Sequence, residues 1–251
     1  MSRPLAAPAH ALRVTRALVA GALLLVLSAC GDATPNELSR SSASPSASAD
    51  EQAAAARALV EAHPVAKVVV IGDSISAGLH LDESQAFPAL VSERLAADGL
   101  PIEMINAGVS GDTSAGGLRR LDWLLKQRPH VLVIELGGND GLRGQPIADI
   151  SANLSSIIER ARAADVIPLL VGMALPPSMG PNYSADFRGL YEALAERLDV
   201  AFVPGFMDPV GGRPALNLAD GLHPNAAGHE LLADELYPEL RRLIAEVSGL
   251  E

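Results

Sequence analysis

The chain has 251 residues, of which 49% are hydrophobic and 20% charged, so it can build a substantial apolar core and is not disordered throughout. Nineteen Lys and Arg residues stand against thirty Asp and Glu residues, and this net charge of −11 argues against a nucleic-acid partner, which needs a basic surface. One cysteine excludes an internal disulfide, and six scattered histidines show no metal-ligand spacing, so no metal site is predicted.

The first thirty residues have the order of an export signal. Three arginines, Arg3, Arg13 and Arg16, precede a largely apolar run over residues 17–29. This run is shorter than the roughly 20 apolar residues of a membrane span. The run ends in Leu27-Ser28-Ala29-Cys30, which resembles the lipobox of bacterial lipoproteins and implies lipidation of Cys30 after cleavage. We expect an exported protein of the bacterial envelope, lipid-anchored and facing the periplasm. The alternative is an ordinary signal peptide with an incidental cysteine, which would leave the protein soluble in the periplasm.

Three segments are predicted along the chain. Residues 1–29 form the signal peptide of the lipoprotein type. Residues 30–62 comprise the lipidated cysteine and a flexible linker, in which residues 41–49 are all Ser, Ala or Pro. Residues 63–251 form the folded domain.

Within that domain, strands and helices are predicted to alternate. Five short apolar runs have strand length, at residues 67–71, 102–106, 131–136, 166–173 and 200–203. Their starts lie roughly 30 to 35 residues apart, which leaves room for a helix and two loops between parallel strands. The sequence therefore predicts an α/β fold, a three-layer α/β/α sandwich with a mostly five-stranded parallel sheet. A last helix is expected after Pro224, kinked or split by Pro238.

Four polar motifs follow the predicted strands or precede the last helix. They are GDSIS at 72–76, GVSGD at 108–112, GGND at 137–140 and DGLHPN at 220–225. Because ligands of open α/β sheets bind beyond the carboxyl ends of the strands, we expect these motifs to meet in space. The glycine-rich stretch at 137–144 lacks the order of a phosphate loop and is expected to be a mobile loop.

These motifs supply the residue types of nucleophilic acyl transfer. A serine hydroxyl needs a base, and His223, oriented by Asp220, can take the proton of Ser74. The N–H groups of Ser74 and Gly111 and the side-chain amide of Asn139 are candidate donors to an oxyanion. The structural alternatives are a helix N-cap for Ser74 and plain turns for Gly111.

The motifs clearly resemble, in order, the four blocks of the SGNH, or GDSL-type, hydrolase family, over roughly residues 67–242. The stretches SGDTS at 110–114 and ELGGNDGLRG at 135–144 look like its periplasmic thioesterase/lysophospholipase/arylesterase branch. The resemblance implies a flavodoxin-like fold, Ser74 as nucleophile, a Ser74–His223–Asp220 triad, and Ser74, Gly111 and Asn139 as the oxyanion hole. Isoleucine stands after Ser74 where the family has leucine, and the lipobox departs from relatives that are commonly soluble.

The expected activity is hydrolysis of carboxylic esters or thioesters of acyl chains through an acyl-enzyme, with no cofactor and a small-molecule acyl substrate. The acyl group is expected to bind Leu142, Leu175 and Pro176, together with other apolar loop residues: Pro146, Met173, Pro177 and Met179. Two alternatives stay open: an O-deacetylase of cell-envelope carbohydrate, and a non-catalytic lipid-binding lipoprotein. The oligomeric state is not predicted.

Overall fold

The computed structural model describes residues 65–249. The predicted signal peptide, Cys30 and the linker lie outside the described residues, and the domain boundary at residue 63 stays a prediction. The strands are β1 (Ala66–Gly72), β2 (Ile102–Gly108), β3 (Val131–Glu135), β4 (Ile167–Val171) and β5 (Ala201–Val203). The helices are α1 (Phe87–Ala97), α2 (Ser114–Leu125), α3 (Gly138–Leu142), α4 (Ile147–Ala163), α5 (Pro181–Leu198) and α6 (Ala226–Val247).

The five strands form one parallel sheet in the order β2-β1-β3-β4-β5. Nearly all residues of β1 and β3 are buried, as expected for central strands that are covered on both faces. Each of the five predicted strands overlaps an observed one, and the α/β fold is confirmed. This strand order places the topological switch point between β1 and β3, and ligands bind beyond the carboxyl ends of strands at such a point.

The helices cover the sheet in two groups. Helix α1 packs against α6, whereas α2 packs against α4 and α4 against α5. Their buried residues recur at helical spacing, as in α4, where the buried positions include Ile150, Leu154, Ile157 and Ile158. Among the described residues, none of the helices combines the length and apolar character needed to span a bilayer.

Two details differ from the sequence-based expectation. Residues 138–142 form the short helix α3 inside the stretch expected to be a mobile loop, and buried Asp140 fixes it by accepting hydrogen bonds from the N–H and Oγ–H of Ser114 at 2.7 and 2.6 Å. The last helix runs unbroken from Ala226 to Val247, so Pro238 does not split it. Leu236 and Leu240, on either side of that proline, are both fully buried, and their packing sustains the helix.

Candidate active site

The loop after β1 presents Ser74 at the carboxyl edge of the sheet. The backbone turns as soon as β1 ends at Gly72, and the N–H of Ala77 donates to the carbonyl of Asp73 at 3.0 Å. Ser74 is buried, and its Oγ lies 2.9 Å from Nε2 of His223. The structure therefore brings together the predicted nucleophile and base, which are 149 residues apart in the chain.

A tight loop before α6 orients His223 toward Asp220. Nδ1 of His223 lies 2.6 Å from Oδ2 of Asp220, while Oδ1 accepts the N–H groups of Leu222 at 2.9 Å and His223 at 3.0 Å. Gly221, with φ of +70°, allows the chain to curl back in this way. The backbone hydrogen bonds, aided by the side chain of His223, lower the pKa of Asp220 to about 2. An ionised Asp220 favours the tautomer that carries the proton on Nδ1, which leaves Nε2 able to accept the proton of Ser74.

The candidate oxyanion donors come from three loops at this edge. Within residues 65–249, the N–H groups of Ser74 and Gly111 have no hydrogen-bond acceptor, so both are available to a ligand. Gly111 adopts φ of +80° after β2, which pairs with β1 along its whole length. Asn139 lies in the first turn of α3, directly after β3.

Asp73 connects the nucleophile loop, which is the turn at residues 73–77 with the predicted nucleophile Ser74, to Asn139. Its Oδ1 accepts the N–H of Ile75 at 2.9 Å, and its Oδ2 accepts a hydrogen bond from Nδ2 of Asn139 at 3.0 Å. Burial raises the pKa of Asp73 to about 6, although both hydrogen bonds oppose the rise. One amide hydrogen of Asn139 is thus occupied, and the second remains to donate to a ligand.

Arg143 joins the end of α3 to the loop that carries Gly111. It caps the C-terminus of α3, and its Nη2 donates to the carbonyl of Gly111 at 3.1 Å. Asp112, the residue after Gly111, accepts hydrogen bonds from the backbone N–H of Thr113 at 3.0 Å and from Nε of Arg120 at 2.8 Å. The loop that carries the Gly111 donor is therefore held from both sides.

A cavity of about 110 Å³ opens beside Ser74 and His223. It is lined by all three residues predicted to bind the acyl group, Leu142, Leu175 and Pro176. The remaining lining residues are Asp73, Ile75, Gly138, Asn139, Ala174, Met207 and Leu222. Four further residues expected to contribute are not among the lining residues: Pro146, Met173, Pro177 and Met179. Gly111 is also not a lining residue.

Within the described range, no cluster of three or more His, Cys, Asp or Glu side chains could hold a metal ion. His229 is buried, and its Nδ1 accepts the N–H of Phe87 at 3.1 Å. Nδ1 of His130 accepts the N–H of Lys67 at 2.9 Å. Both histidines are therefore engaged in supporting the backbone.

Three features of the site were not predicted from the sequence. Asp73 holds Asn139, Arg143 holds the Gly111 loop, and Glu135 is buried beneath the nucleophile loop. For Glu135 the signal was present, because this carboxyl group ends a strand that is otherwise apolar. The other two contacts join motifs that are distant in the chain, and local sequence holds no signal for them.

Comparison with known proteins identifies the family. The family model described as the GDSL-like Lipase/Acylhydrolase family matches residues 70–231. The chain belongs to this family. Membership in this GDSL-like family agrees with the buried serine beside His223, and the chain is a carboxylic ester hydrolase.

Relatives of this GDSL-like chain carry closely related names. Esterase TesA of Pseudomonas aeruginosa is 47% identical over 178 residues, which cover 70% of this chain and 89% of the relative. The "Thioesterase 1/protease 1/lysophospholipase L1" of Escherichia coli K12 is 38% identical over 178 residues, which cover 70% of this chain and 84% of the relative. The crystal structure of TesA matches with a TM-score of 0.69 at 47% identity, covering 70% of this chain and 99% of that chain.

Proposed function

We propose that the protein is an exported serine esterase that hydrolyses esters and thioesters of acyl chains through a Ser74–His223–Asp220 triad. The observation that carries this proposal is the continuous hydrogen-bonded chain from Ser74 Oγ to His223 at 2.9 Å and from His223 to Asp220 at 2.6 Å. The names of the relatives, an esterase and a thioesterase with lysophospholipase activity, support the same substrate class.

The triad geometry supports a two-step reaction. Ser74 Oγ attacks the acyl carbonyl carbon while its proton moves to Nε2 of His223, and the N–H groups of Ser74 and Gly111 with the amide of Asn139 bind the oxyanion. Collapse of the tetrahedral intermediate breaks the bond to the alcohol or thiol, which takes the proton from His223. A water molecule then attacks the acyl-enzyme by the same route and releases the acid and free Ser74.

The cavity supports an acyl group as the recognised part of the substrate. At about 110 Å³ it is smaller than the roughly 300–1,000 Å³ of a typical small-molecule pocket, so it accommodates only the start of a long chain. Leu142 and Leu222 line it and remain 41% and 40% exposed, which provides apolar surface over which the rest of the chain lies.

A rate profile over nitrophenyl esters of increasing acyl length, with a lysophospholipid and an acyl-CoA, tests the proposed function. We expect turnover of several chain lengths and loss of nearly all turnover in Ser74→Ala. Turnover confined to the acetate ester would instead support a carbohydrate O-deacetylase, a function that the small cavity also fits. A protein that binds lipid equally well with and without Ser74, and hydrolyses none of these substrates, would contradict the proposal.

The Leu142→Asp variant tests the acyl-binding cavity. A new charge beside the chain should raise KM about tenfold or more for long-chain esters and change it little for acetate, because each buried methylene contributes about 0.8 kcal/mol. Leu175→Asp should act in the same direction. Trp123→Asp, at an exposed apolar residue outside the cavity, is the matched control and should leave both values unchanged. Equal increases for short and long esters would contradict this binding mode.

Export and lipid anchoring at Cys30 form the second part of the proposal and rest on the lipobox-like sequence alone. Mass spectrometry of the N-terminus of protein isolated from cells tests them. We expect a chain that begins at acylated Cys30. An unmodified N-terminus near this position would support the soluble periplasmic alternative, and an intact residue 1 would contradict export.

A further inference from the structure

Glu135 lies directly beneath the nucleophile loop. It is the last residue of β3 and is fully buried. Its Oε2 accepts the N–H groups of Asp73 and Ser76, each at 3.2 Å, and the Oγ–H of Ser76 at 2.5 Å. The donors precede and follow Ser74 in the chain, so a single carboxyl oxygen fixes the backbone on both sides of the proposed nucleophile.

The second oxygen of Glu135 is in a different environment. Oε1 is buried and has no hydrogen-bond partner among the described residues. No lysine or arginine of residues 65–249 forms an ion pair with this carboxyl group. An ionised carboxyl shares its charge between both oxygens, and a bare anionic oxygen in an apolar interior is far more costly than a neutral hydroxyl.

A neighbouring buried carboxyl group strengthens this argument. Asp73 accepts hydrogen bonds at both of its oxygens, from Ile75 and Asn139, and its own N–H donates to Glu135. Two carboxyl groups that share a buried site do not both ionise readily, and the one with donors at both oxygens holds the charge at lower cost. Burial raises the pKa of Glu135 well above its ordinary value, and the charge on Asp73 raises it further.

The backbone is shaped to admit this carboxyl group. A Cβ atom at Gly72 would lie 2.5 Å from Oε2 of Glu135 and would also collide with the side chain of Ser76. Glycine at this position therefore leaves the space that the contact between Glu135 and Ser76 occupies. The arrangement is a built site rather than a chance approach of two side chains.

We infer that Glu135 acts as a neutral carboxylic acid that positions Ser74 for attack by holding the loop on both sides of it. This inference rests on the proposed role of Ser74. Glu135 does not touch the reacting atoms, and its contribution passes through the backbone of the nucleophile loop.

Two variants separate a neutral acceptor from a charged one. Glu135→Gln keeps a carbonyl acceptor without a charge, and we expect it to retain kcat within about threefold of the wild type. Glu135→Leu removes the acceptor, and we expect kcat to fall by about tenfold to a hundredfold with KM little changed, because several buried donors lose their partner. Circular dichroism confirms that each variant is folded.

The infrared spectrum at about pH 8 reports the protonation state without reference to activity. The wild type should show the carbonyl band of a buried, protonated carboxyl group, shifted in D2O. The band should persist in Asp73→Asn and disappear in Glu135→Gln. This measurement also decides the question if Glu135→Leu fails to fold.

Three results would overturn the inference: no such band in the wild type, a folded Glu135→Gln as impaired as Glu135→Leu, or wild-type kinetics in Glu135→Leu. Failure of the proposed function has a different signature, because hydrolysis by the wild type would then be insensitive to Ser74→Ala while the infrared band is unaffected.

Discussion

Asn139 has one structural hydrogen bond and one proposed role in the chemistry. One amide hydrogen goes to Asp73 at 3.0 Å, which fixes the rotation of the amide and leaves the other hydrogen for the proposed oxyanion. Asn139→Ala should therefore lower kcat by about a hundredfold to a thousandfold, the usual cost of one oxyanion donor, with little change in KM. Steady-state kinetics with a short nitrophenyl ester measure both constants.

Asn182→Ala is the matched control for this prediction. Asn182 is exposed on α5 and does not line the cavity, so its truncation should leave kcat unchanged. A loss of less than about threefold in Asn139→Ala would show that the amide does not donate to the oxyanion.

At the residue scale, the sequence indicated candidate chemical groups but not the contacts that hold them. The residue types and the order of the motifs indicated Ser74, His223 and Asn139, because acyl transfer needs these groups. The hydrogen bond from Asn139 to Asp73 spans 66 residues and depends on the adjacency of β1 and β3. A single sequence contains no local signal for a pairing of that kind.

At the scale of elements, His229 of α6 joins this helix to the start of α1. Its Nδ1 accepts the N–H of Phe87, and burial lowers the pKa of His229 to about 4. The unfolded chain binds a proton at this histidine below about pH 6.5, whereas the native state resists it down to about pH 4. The contribution of His229 to stability is therefore complete above pH 6.5 and is lost as the pH falls toward 4.

His229→Gln tests this linkage, because glutamine offers an acceptor to Phe87 and does not titrate. Relative to the variant, the wild type should lose up to roughly 3 kcal/mol of unfolding free energy between pH 7 and pH 4. Urea denaturation of both proteins across this range measures the difference, in which the contributions of Asp73 and other shared groups cancel. Parallel curves for the two proteins would contradict the assignment.

The local pattern of apolar residues predicted those strands and helices whose packing in the fold agrees with the intrinsic preferences of their residues. The apolar runs of β1 and β3 were found because both faces of these strands are buried. Helix α3 was not predicted because its first three residues are glycine, asparagine and aspartate, which are poor helix formers. It forms because Ser114 donates two hydrogen bonds to Asp140, and this tertiary contact overrides the local preference.

At the scale of the whole molecule, the fold brings four distant segments to one edge of the sheet. Ser74 and Asn139 flank the switch point between β1 and β3, while His223 comes from the segment before α6. The loops need to cross only short distances because neighbouring strands end in register. Gly72 of β1, for example, lies opposite both Gly108 of β2 and Glu135 of β3. Alternation of strands and helices was sufficient to predict that these motifs would meet at this edge.

The central claim is that Ser74 is the activated nucleophile, and covalent labelling tests it most directly. The purified protein is treated with a fluorophosphonate probe, digested, and the modified residue located by mass spectrometry. We predict one label, on Ser74, and a rate of labelling that falls at least about a hundredfold in His223→Ala because the base is lost. Absence of label, or a label at any other residue, would contradict the account.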